Sequence, residues 1–117
     1  MNYEELIKKL MDELVGKTKN LTAKKKQMLY EIGFKEHQLY WYQIDRCYEI
    51  LKDYTIGDSS YYKIPFMLAK NLITNDLEII IIKYPAGWST ATLFNLKLTE
   101  EQQDIAQAEI IIDKLNK

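Results

Sequence analysis

Three residues in the middle of the chain carry the side chains of a nucleophilic site: His37 as base, Cys47 as thiol and Asp45 as orienting acid. A thiol and an imidazole exchange a proton only within roughly 3 Å. If one helix spans the segment, the ten residues from His37 to Cys47 place them about 15 Å apart along its axis. Cys47 then reads as a small apolar residue on the inner stripe, and His37 as a structural histidine without a partner legible in the sequence. No enzymatic activity is expected from this set.

Metal and cofactor chemistry have less to draw on. With one histidine and one cysteine, a zinc site needs at least two carboxylates supplied by the fold. Asp45, Glu49 and Asp53 stand at i, i+4 and i+8, a spacing that can present oxygen ligands to a hard cation but more often marks a solvated helix face. The glycines at 16, 33, 57 and 87 are too dispersed for a phosphate-cradling loop, so neither metal nor cofactor is expected.

Nucleic acid has one segment in its favour. Lys17, Lys19, Lys24, Lys25 and Lys26 precede Tyr30 with no acid among them, a pattern able to contact phosphates and stack a base. Against it stand a net charge of −1 and a single arginine, Arg46, where readers of base edges usually carry several.

Residues 37–54 carry the strongest signal. His37, Tyr40, Trp41, Ile44, Cys47, Tyr48 and Leu51 fit one face of a continuous helix. A second row, Leu39, Tyr42, Arg46 and Ile50, follows at intervals of three, four and four on its far side, beside Asp45, Glu49 and Asp53. Tyrosine and arginine anchor protein interfaces because each joins a large contact area to directional hydrogen bonding. With Tyr54 and Tyr61 as further anchors, the row predicts a surface for another protein, the three acids steering a basic partner. The function that follows is stoichiometric protein binding without turnover, as in small inhibitors and immunity proteins. The lysine segment is the alternative. The competing structural reading has the row buried beneath its own chain.

The elements that must position these residues are readable in outline. Leu6, Ile7, Leu10, Met11, Leu14 and Val15 line one face of a helix over 3–15, with Gly16 as its stop. Thr22 caps a second, short helix ending at Gly33, its Met28, Leu29 and Ile32 facing inward. Residues 77–98 form two strands around the break at Pro85–Trp88, and four successive isoleucines, Ile79 to Ile82, demand cover on both faces. Residues 61–68 read as an edge strand with a turn at 74–76, although Pro65 can equally open a helix. Thr99 and Gln102 form a capping box for a last helix that packs Ile105, Ala108, Ile112 and Leu115 on the sheet, or offers them as the seam of a homodimer.

The expected architecture is therefore α+β in a single domain, 1–117: N-terminal helices, a small antiparallel sheet built on the 77–98 hairpin, and a C-terminal helix packed on it. The acidic N-terminus lacks the pattern of a signal peptide, and no apolar run approaches the roughly 18 residues of a membrane span. With one unpaired cysteine, the expected compartment is the reducing cytoplasm.

Overall fold

A computed structural model describes residues 1–15, 20–55, 64–83 and 90–117. The elements in order are α1 (Tyr3–Leu14), α2 (Ala23–Ile32), β1 (Lys35–Tyr40), α3 (Trp41–Cys47), β2 (Tyr48–Asp53), β3 (Phe66–Asn71), β4 (Leu77–Lys83), β5 (Thr90–Lys97) and α4 (Glu100–Leu115). The strands form one antiparallel sheet in the order β1-β5-β4-β3-β2, and helices stand at both ends of the chain, as an α+β fold requires.

The helix boundaries follow local hydrogen-bonding chemistry. Asn2 Oδ1 accepts from the Glu5 N–H at 2.8 Å, Thr22 Oγ1 from that of Lys25 at 3.3 Å, and Thr99 Oγ1 from that of Gln102 at 3.2 Å. Each satisfies a donor that the first turn leaves without a helical partner. Gly33 ends α2 at φ 120°, returning its N–H to the carbonyls of Leu29 and Tyr30. The expected stop at Gly16 and the break at 85–88 lie outside the described residues.

The isoleucine run is buried on both sides. Ile79 and Ile81 join Leu6, Leu10 and Leu14 of α1, Leu29 of α2, Phe66 and Leu68 of β3, Phe94 of β5 and Ala106 of α4 in the larger core. Ile80 and Ile82 point the other way, into a smaller core with Ala69, Ala91, Leu93 and Ile44 of α3. Period-two alternation along β4 thus feeds two separate apolar layers, and both need a lid.

α3 supplies the second lid, and it corrects the helix expected over 37–54. That segment is strand, helix, strand. β1 pairs with β5 and β2 with β3, so β1 and β2 occupy opposite edges of the sheet and run in the same direction. Four strand spacings separate them, about 19 Å. The seven residues of α3 supply roughly 10 Å of that crossing, over the face that α1, α2 and α4 leave open. A helix this short is marginal alone. It is held by Ile44 and Cys47 packing on the sheet beneath.

Two further expectations are revised. The strand placed at 61–68 begins at Phe66, directly after Pro65, and lies between β2 and β4 where an edge strand was expected; the edges are β1 and β2. In α4 the residues meeting the core are Ala106 and, half-buried, Ile105 and Ile110, whereas Ala108, Ile112 and Leu115 face outward. The cause is rotation: Tyr54 Oη donates to Glu109 and Lys52 pairs with Asp113, which turns the 106–109–113 side of α4 toward the sheet.

Candidate protein-binding face

The face covered by α3 is built from consecutive aromatics. Tyr40 closes β1 and Trp41 and Tyr42 open α3; the three remain 48%, 47% and 43% exposed. The Tyr40 and Tyr42 rings stack at 5.7 Å, and Trp41 meets Tyr42 edge-on at 6.2 Å. Arg46, one turn on, lies over the Tyr42 ring at 5.6 Å. The Tyr40 N–H donates to Gln43 Oε1 at 2.9 Å, fixing the first turn that aims these rings. Mutual stacking pre-orders large side chains that stay open to contact, which lowers the entropy they lose when a partner covers them.

Beneath α3 lies a polar cluster in an otherwise apolar layer. Glu78, buried on the central strand β4, accepts from Tyr48 Oη at 2.7 Å, from Asn95 Nδ2 at 3.0 Å and from Asn71 Nδ2 at 3.0 Å. Burial first, and the Glu78 carboxylate second, push the Tyr48 phenol well above its ordinary range. Asn95 Oδ1 meets His37 Nε2 at 3.0 Å. Because the Asn95 amide nitrogen is committed to Glu78, its oxygen faces the ring, and the neutral imidazole must carry its proton on Nε2. His37 is therefore exposed, with its ring oriented by an amide that also holds the buried Glu78. Cys47, half-buried in the smaller core, is not part of this chain of contacts. Among the described residues, no group of three or more histidine, cysteine or acidic side chains is placed to hold a metal ion.

The residues singled out in the sequence divide between the two faces. Leu39, Tyr42, Asp45, Arg46 and Ile50 all belong to the α3 face, although they come from β1, α3 and β2. Leu39, opposite Ala91, is half-buried in the smaller core, while Tyr42, Asp45, Arg46 and Ile50 are exposed. Asp53 joins them in register with Met67, its Oδ1 accepting from the Thr55 N–H at 2.9 Å. Glu49 does not: strand alternation sends it to the opposite side, beside Leu51, Lys70 and Ile110. Tyr54 also lies opposite, stacked on Phe66 at 5.5 Å and hydrogen-bonded to Tyr3 at 2.6 Å. Tyr61 lies outside the described residues. Tyr40 and Trp41, assigned to the inner stripe of a helix, are exposed because that helix starts only at Trp41.

Of the basic segment, Lys17 and Lys19 lie outside the described residues, Lys24 is exposed, Lys26 pairs with Glu36 at 3.8 Å and the Lys25 ammonium is buried. No helix among the described residues is long and apolar enough to cross a membrane. No protein-family model, curated protein or solved structure matches this chain.

Proposed function

We propose that this protein acts by stoichiometric contact with another protein, without turnover, in the manner of an inhibitor or immunity protein, and that the α3 face is its contact surface. One observation carries the reading: Tyr40, Trp41 and Tyr42 stand side by side, each nearly half exposed, with the Arg46 guanidinium over the last. Folding does not need large aromatics in the open, whereas interface centres are enriched in these residue types. Leu39 and Ile44 support the surface from below, and Ile50 extends it on β2. Glu49 and Tyr54 leave the proposed anchor set, because they belong to the other side of the sheet. A free, half-buried Cys47 accords with a reducing cytoplasm as the place of action.

The test is affinity capture from the host cell with the wild-type protein and with Tyr42→Ala/Arg46→Ala, each also checked by thermal melting. The expected result is a partner retained in a fixed ratio by the wild type and lost with the variant, whose melting temperature shifts by under about 4 °C, or 1 kcal/mol for a domain of this size. Equal retention by both proteins, or a large fall in stability, would defeat the reading.

A further inference from the structure

Beside the aromatic cluster, the same face holds a cavity of about 290 Å³ between α3 and the β2 side of the sheet. Ile44, Ile50, Met67 and Ile82 supply apolar walls, with Pro65 and Tyr48 completing them. Tyr48 turns its hydroxyl to Glu78 and so offers the cavity no free polar group. At the rim stands Asp45, exposed and outside every ion pair formed among the described residues. Asp53, in register with Met67, adds a second carboxylate on this side of the sheet.

We infer that this cavity receives a basic side chain of the partner, its alkyl stem lying on Ile44, Ile50, Met67 and Ile82 and its cationic head on Asp45. The inference deepens the protein-binding reading and rests on it for the partner's nature. Lysine and arginine combine an apolar stem with a charged tip, and an apolar trough with a single carboxylate at its mouth complements both ends. A purely apolar occupant leaves the Asp45 charge without a partner; an acidic one meets like charge.

The test needs no identified partner. Methyl signals of Ile44, Ile50, Ile82 and Met67 are followed by NMR while N-acetyl-lysine-N-methylamide, or its uncharged counterpart N-acetyl-norleucine-N-methylamide, is added. Saturable shifts confined to these methyls, with the lysine probe binding at least about fivefold tighter, are expected, and Asp45→Asn should remove that difference. Equal binding of the two probes, shifts elsewhere, no shifts at all, or a difference that survives in Asp45→Asn would overturn the inference. Tyr42→Ala/Arg46→Ala should leave the probe shifts unchanged, so failure of the cavity and failure of the aromatic surface are separately visible.

Discussion

Replacing Glu78 by glutamine tests the polar cluster that fastens the α3 face to the central strand. The change keeps volume but converts one acceptor oxygen into an NH2 donor. Oε1 serves Tyr48 and Asn95 and Oε2 serves Asn71 alone, so the least costly orientation sets the new nitrogen against Asn71 Nδ2. Asn71 cannot flip to relieve that clash, because its Oδ1 already accepts from the N–H groups of Ile73 at 2.9 Å and Thr74 at 3.2 Å. One hydrogen bond to a charged group is lost, at about 2 kcal/mol, and two others become neutral, so the total is about 3 kcal/mol. A domain of this size has on the order of 10 kcal/mol in all. Urea denaturation followed by circular dichroism should show a lower midpoint with an unchanged slope. Asn71→Asp added to Glu78→Gln places an acceptor opposite the new donor while keeping both backbone bonds, and should recover at least about 1 kcal/mol in a double-mutant cycle. A loss under about 0.5 kcal/mol in the single variant, or a double variant no better than the sum of its parts, would refute the reasoning.

Three other outcomes follow from the packing. Tyr3, Tyr48 and Tyr54 are held above the ordinary phenol range, chiefly by burial. The folded state therefore keeps protons that the unfolded chain releases near pH ~10. Stability should be undiminished below that pH and fall above it, the last phenolate absorbance appearing only with unfolding; full titration of a still-folded protein would contradict this. Ile81→Ala should cost about 2–5 kcal/mol while Leu115→Ala, at 78% exposure, costs under about 0.5 kcal/mol, and equal losses in thermal melts would show that α4 is rotated otherwise. Gly33→Ala should cost about 1–3 kcal/mol, because φ is +120° and the added Cβ meets Leu96 Cδ1 at 3.3 Å; a neutral change in the same melts would show that this helix end is relaxed.

What the sequence made legible was local. Capping side chains, the glycine after α2 and four isoleucines in a row each state their requirement within a few residues, and each is met in place. The middle of the chain was not legible, because its strands are specified by distant partners. Gln38 finds Thr92 at 3.0 Å, and β1 exists as a strand only where β5 lies beside it. Read alone, 37–54 keeps a helical period throughout, and that period hides the two strands. Several residues of the outward row nevertheless share a face, and the reason is topological. Leu39 and Ile50 reach that face by strand alternation, from opposite edges of the sheet, and α3 crosses above it carrying Tyr42 and Arg46.

The same crossover explains why the aromatics are exposed. A helix of only seven residues can turn only a narrow side toward the sheet, and Ile44 and Cys47 occupy it. Trp41, Tyr42 and Arg46 lie on the remaining sides of the helix, where among the described residues they meet chiefly one another and stay exposed. Glu78 was the least legible element. A single acid heading an apolar run reads as a strand end facing water, and its burial becomes intelligible only when Tyr48, Asn71 and Asn95 converge on it from three other strands. That convergence joins β2, β3 and β5 to β4 beneath α3, and so sets the floor on which the exposed aromatics stand.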